Sequence, residues 1–172
     1  MHRYDNHKKA KEIWKKVGIA SYNVETLGNN RIQTICREME NEGVKIMMLQ
    51  GTRHKYDGDG LVGNFKVFYA GCGDNTTPDN VAGVAIVVSN ELLKGAQVKK
   101  MVWKTHRIMA VRIKSDVMDV TLVTAYANTE NTPQSKKKTF WQQLNTEIRR
   151  LPRRTFKIMG IDANGHVGRD IT

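Results

Sequence analysis

The six residues Val44–Leu49 (VKIMML) constrain the fold most, because five of them are apolar and no polar face alternates with them. A run of this kind reads as a strand buried on both faces. The residues ahead of it show a different period. From Asn30 to Asn41, Ile32, Ile35, Cys36 and Met39 recur at spacings of three and four, the stripe of a helix facing a core. Gly43 stands where a helix favours a glycine at its carboxyl end. Upstream, Val17–Val24 (VGIASYNV) carries the β-branched and aromatic residues of another strand. The chain therefore opens with a β-α-β order.

Strands dominate the middle. Phe65–Ala70, Ala82–Ser89, Gln97–Trp103, Arg107–Lys114 and Met118–Ala127 are strand candidates, separated by Gly- and Asp-rich loops at Gln50–Gly63 and at GCGDNTTPDN. Arg107–Lys114 alternates, with Ile108, Ala110, Arg112 and Lys114 on one side and Met109, Val111 and Ile113 on the other. A short turn at SD joins it to the next strand. Thr132-Pro133 starts a helix, with Thr as N-cap and Pro in the first turn. That helix runs to about Arg150, buries Phe140, Leu144, Ile148 and Leu151, and ends at LP. Phe156–Ile161 is the last strand. A strand-rich middle flanked by helices predicts two sheets packed together and covered by helices, an α/β sandwich.

At 172 residues the chain has the length of one domain, and 40% hydrophobic content with a mean hydropathy of −0.52 suits a soluble globular protein. No stretch approaches the ~18 apolar residues of a membrane span. The reading divides the chain into a basic extension or helix at 1–16 and a domain at 17–172. The extension, MHRYDNHKKAKEIWKK, lacks the apolar centre of a secretory signal, and its Asp5 and Glu12 disfavour an organellar address without removing it. The net charge of +11 points to a polyanionic partner, nucleic acid foremost. Cys36 and Cys72 have no metal-ligand spacing and read as reduced thiols of an intracellular protein.

Four strand ends carry polar residues that an apolar core does not ask for. They are Asn23 with Glu25, Gln50 with Thr52 and Arg53, Tyr126 with Asn128, and Asp162 with Asn164. Ligands of sheets with parallel pairs bind where the carboxyl ends of strands converge. Singly, each residue has an ordinary explanation as a turn former or satisfied aromatic. Together the Asn, Glu and Asp residues among them are oxygen donors suited to a hard cation such as Mg²⁺, placed to polarise a phosphodiester. His54 and His166 read as turn residues rather than general bases. Lys136, Lys137 and Lys138, and Arg149, Arg150, Arg153 and Arg154, are phosphate-contact candidates or solvated helix faces.

SYNVETL, IMMLQGTRH, GVAIVVS with HRIMAVRIK, VTAYANTENTPQSKKKTFWQQL and IMGIDANGHVG follow one another in the order of a known set. Together they resemble the endonuclease/exonuclease/phosphatase superfamily, in particular the apurinic-endonuclease-like domains of non-LTR retrotransposons. The resemblance implies a four-layer α/β/β/α sandwich of two mixed sheets, the DNase I-like fold, incomplete at its carboxyl end. It implies catalytic roles for Asn23, Tyr126, Asp162 and Asn164, with Glu25 beside the metal; Arg53 joins the lysines and arginines as a nucleic-acid contact candidate. It also implies a nuclear location.

Two departures stand out. Gly51 occupies the position of the family's metal-binding Glu, and the family's closing Ser-Asp-His motif is absent. The expectation is a relative of Mg²⁺-dependent DNA-nicking phosphodiesterases that is inactive or strongly impaired. Its alternative is a non-catalytic structural or nucleic-acid-binding subunit of a larger assembly. Mg²⁺ is then the cofactor of an active form and absent from an inactive one, and a protein partner is expected over the open sheet edge.

Overall fold

The computed structural model describes residues 17–28, 30–72, 82–102 and 106–165. The basic segment 1–16, most of the GCGDNTTPDN loop and His166 lie outside the described residues. In chain order the elements are β1 (Gly18–Asn23), α1 (Arg31–Asn41), β2 (Val44–Gln50), β3 (Gly58–Val62), β4 (Phe65–Ala70), β5 (Val84–Ser89), α2 (Asn90–Leu93), β6 (Gln97–Val102), β7 (Ile108–Lys114), β8 (Asp119–Tyr126), α3 (Gln134–Arg150) and β9 (Phe156–Asp162).

They form a five-stranded sheet in the order β1-β2-β5-β4-β3 and a four-stranded sheet in the order β6-β7-β8-β9. Each sheet is mixed: β1 with β2 and β8 with β9 are parallel, and every other described pair is antiparallel. Ile46, Met48, Ile86 and Val88 of the first sheet meet Met109, Val111, Ile113, Val120 and Leu122 of the second in the central core. Ile35, Cys36 and Met39 of α1 pack with Leu49, Val67 and Val87 on the outer face of the first sheet. Phe140 and Leu144 of α3 pack with Ile108, Ala110 and Val123 on the outer face of the second. The chain is thus the α/β/β/α sandwich expected. The alternation read in Arg107–Lys114 divides β7 as anticipated, with Met109, Val111 and Ile113 between the sheets and Ile108 and Ala110 beneath α3.

The layers also explain VKIMML. A strand between a facing sheet and a covering helix has no solvent side, so Ile46, Met48 and Leu49 are all buried.

Two local readings need correction, and one short element is added. The Gln50–Gly63 loop contains β3, a hairpin partner of β4 across Gly63-Asn64. Its sequence GDGLV is poor in strand formers, and only pairing with β4 stabilises it as a strand. The one-turn helix α2 follows β5 directly. The cap of α3 is Pro133, one residue later than Thr132, and makes no side-chain capping bond. Glu147 is buried on this helix beside Ile148 and is paired with Arg150 at 2.9 Å.

Neither cysteine forms a disulfide and both are buried. Burial pushes the Cys36 thiol up to about 11 and also raises Cys72. Among the described residues, no helix is long and apolar enough to cross a membrane.

Candidate active site at the strand ends

The two parallel pairs bring the polar strand ends together. Register places Asn23 beside Gln50 at the carboxyl end of one pair, and Tyr126 beside Asp162 at the carboxyl end of the other. β1 packs against β9 and β2 against β8, so these ends face each other across the sandwich.

The close approach has a specific cause in Gly160. A Cβ there would stand 2.6 Å from Ser21 Oγ and 2.9 Å from Met48 Cβ. With only hydrogen at that position, the two sheets approach closely enough for Asn23 Nδ2 to donate to Asp162 Oδ2 at 2.6 Å. A buried polar network lies beneath this bond. Gln50 is 1% exposed, and its Nε2 lies 3.0 Å from both Ser21 Oγ and Thr124 Oγ1. Thr124 Oγ1 in turn donates to the Leu49 carbonyl at 3.1 Å. Buried amides and hydroxyls must be paired, and here the pairing ties one sheet to the other below the site.

Asp162 is held on both oxygens. Oδ1 accepts from the Asn164 backbone N–H at 3.0 Å, while Oδ2 takes the Asn23 amide. Asn164 is left-handed at φ 45°, and its Nδ2 donates to the Ala127 carbonyl at 2.8 Å. The Ala127 N–H returns a bond to the Asp162 carbonyl at 2.9 Å. The DANG turn is therefore stitched to the end of β8, with the carboxylate aimed at β1.

Tyr126 is half-buried. The buried Arg107 places its guanidinium 5.5 Å from the ring centre, with Nη1 3.4 Å from the Tyr126 carbonyl. A cation over an aromatic face fixes that ring. In the sequence Arg107 is marked only as the opening residue of a strand candidate. Its signal in the sequence is a charge directly ahead of the apolar run Ile108–Val111.

Glu25 and Arg53 occupy the loops after β1 and β2 with positive φ of 57° and 49°, and both are exposed. The Asn23 side-chain oxygen accepts the Glu25 N–H at 3.1 Å. Thr52 is buried, and its N–H donates to the Gly83 carbonyl at 3.0 Å. His54 stacks on Tyr69 at 4.3 Å and contacts the Tyr56 carbonyl through Nδ1 at 2.9 Å.

The basic clusters separate. Lys136, Lys137 and Lys138 lie in the first turns of α3, the end that follows β8 and adjoins the site. Arg149, Arg150, Arg153 and Arg154 are all exposed at its other end, ahead of β9. The helix is about 25 Å long, so the arginines stand far from Asp162.

Gly51 is more than a missing carboxylate. Its φ is +66°, and a Cβ there would come within 2.8 Å of Asn23 Oδ1. The Asn23 amide occupies the space that a side chain at position 51 would enter. Among the described residues, no three His, Cys, Asp or Glu side chains gather into a metal-holding group. Asp162 has both oxygens engaged, Glu25 stands exposed in the loop after β1, and Gly51 brings no carboxylate, a set that does not assemble a resident Mg²⁺ held by protein oxygens.

No family model and no curated protein matches the sequence. Solved structures do match by shape. D. rerio TDP2 humanized by 14 mutations superposes with a TM-score of 0.60 at 13% identity, over 90% of this chain and 63% of that one. The endonuclease domain of TRAS1, a telomere-specific non-LTR retrotransposon, gives 0.56 at 17% identity, over 84% and 57%. The AP endonuclease LMAP of Leishmania major gives 0.58 at 16%, over 81% and 54%. The chain spans between about half and two thirds of the length of these structures. Its fold is that of the endonuclease/exonuclease/phosphatase type.

Proposed function

We propose that this chain is a nuclease-fold domain that binds nucleic acid at the carboxyl ends of its parallel strands and is inactive or strongly impaired as a phosphodiesterase. The observation that carries the reading is Gly51, left-handed and backed by Asn23 Oδ1, directly opposite an otherwise assembled Asp162. In this reading Asn23, Tyr126 and Asn164 position a phosphate, and Asp162 is a base without a metal-activated water to work on. The net charge of +11, with Arg53 and Lys136 to Lys138 on the site's side, supports attraction of a polyanion. Exposed Ile19 and Tyr22 on β1, and Phe156 and Met159 on β9, suit a protein partner along these sheet edges.

The test is nicking of supercoiled and abasic-site DNA with Mg²⁺, alongside binding measured across a salt series. The proposal expects no cleavage above background and affinity that falls steeply with salt. Robust Mg²⁺-dependent cleavage that Asp162→Ala abolishes would establish instead a working phosphodiesterase with Asp162 as its base. Binding that is absent at low salt would leave only a structural role.

A further inference from the structure

A groove of about 290 Å³ opens beside the strand-end site, between the loop after β8, the turn after β9 and the amino end of α3. Asn164 belongs to both places. It lines the groove, and its backbone N–H holds Asp162. The opposite wall is Trp141, 44% exposed although it is one of the largest apolar side chains of the chain. Its ring meets the buried Phe140 edge-on at 5.1 Å, which seats it on the core while leaving a face to the groove. Lys137 lies one helical turn before Trp141 on the same helix face. Its Nζ donates to the Glu130 carbonyl at 2.6 Å, so the ammonium is held at the mouth of the groove.

A flat aromatic wall, a fixed cation and a polar floor that continues to Asn164 form the combination that receives a single-stranded nucleotide. Every base has a π-face to stack, and every linkage carries a charge for the lysine. We infer that this groove takes the unpaired base adjacent to the phosphate at Asn164, stacked on Trp141, with the next phosphate at Lys137. The inference rests on the proposed nucleic-acid binding and narrows it to single strands. In the sequence Trp141 stands out only as part of the TFWQQL stretch, and its place on a groove wall comes from the fold.

The experiment measures the affinity of the full chain for short oligothymidylate, its ribo counterpart oligouridylate, and the same strand with abasic sites in place of bases. Trp141→Ala is expected to weaken binding to the base-bearing strands about 5- to 100-fold, and Trp141→Phe to retain most of it. The abasic strand is expected to bind the native chain and Trp141→Ala alike, an outcome that general loss of folding would not produce. A loss on either the deoxy or the ribo strand supports the groove and tells which sugar it accepts. Equal affinity of native chain and Trp141→Ala for both base-bearing strands, with salt-dependent binding intact, overturns the groove assignment alone. Absence of salt-dependent binding by the native chain overturns the proposed function and the groove with it.

Discussion

The chain contains two parallel β-α-β units, β1-α1-β2 and β8-α3-β9, and they bring unequal chemistry to the same place. The second delivers Tyr126, Asp162 and Asn164, with Lys137 and Trp141 from its helix. The first delivers Asn23 and Gln50, followed by a glycine. Both units bury their helix against their own sheet and end at the same edge of the sandwich. The difference between them lies in the residue just past the strand. After β9 the turn holds a carboxylate on two hydrogen bonds. After β2 the turn is bent left-handed at Gly51, where a Cβ would meet Asn23 Oδ1 at 2.8 Å. One half presents a held carboxylate, and the other presents a glycine turn against which Asn23 is set.

Gly160 offers the strongest way to break this pairing of halves. Gly160→Ala puts a methyl against Met48 Cβ and Ser21, and overpacking of that kind costs about 1–3 kcal/mol. Thermal unfolding should show the loss. A Tm unchanged within a degree would mean that the two units do not depend on this close contact.

A smaller effect sharpens the contrast between the two turns. Gly51→Ala should destabilise by about 1–2 kcal/mol, since an L-residue is strained at its φ. The matching change after β9, Ala163→Gly, should cost about 0.4–1 kcal/mol through the unfolded chain alone. Denaturant midpoints that reverse this order would contradict the assignment of Gly51 as an architectural residue. The same strain predicts that Gly51→Glu fails to restore a metal site without shifting Asn23.

The smallest effect concerns the end of the second unit far from the site. Arg112 grips Asp119 at the start of β8 through two bonds of 2.9 and 2.7 Å, and this hydrogen-bonded partner lowers the Asp119 pKa. A carboxyl whose folded pKa is depressed contributes stability above its unfolded value of 3.8. That stability is lost as pH falls from there through the folded value. The pair is partly exposed, so the loss should be under about 1 kcal/mol. Comparing Asp119→Asn with the native chain by acid titration should show the native advantage fading below pH 3.8. An advantage that persists undiminished would assign the effect to packing rather than charge.

Much of the architecture was open to reading because hydrophobic period is a local property. The stripe at Ile32, Ile35, Cys36 and Met39 and the apolar run of β2 each state their own burial, and α1 and β2 form where those patterns predict. β3 escaped because GDGLV has no local preference for a strand and acquires one only from β4. The strand-end residues were visible as polar interruptions, but their partners were not. Asn23 and Asp162 lie 139 positions apart in the chain, and nothing along the sequence states that they share a bond.

What the sequence determined alone is therefore the element order, the charge and the residue types available at the strand ends, since each depends on neighbours within a few positions. The tertiary structure decided which of those residues meet. It brought the lysines of α3 to the site and carried the arginines to the other end, because a parallel crossover helix runs back along its sheet. It turned Gly51 from a missing carboxylate into a backbone conformation with Asn23 in the vacated space. It also placed Trp141, one residue after a core phenylalanine, on a groove wall, because on a helix adjacent positions point about 100° apart.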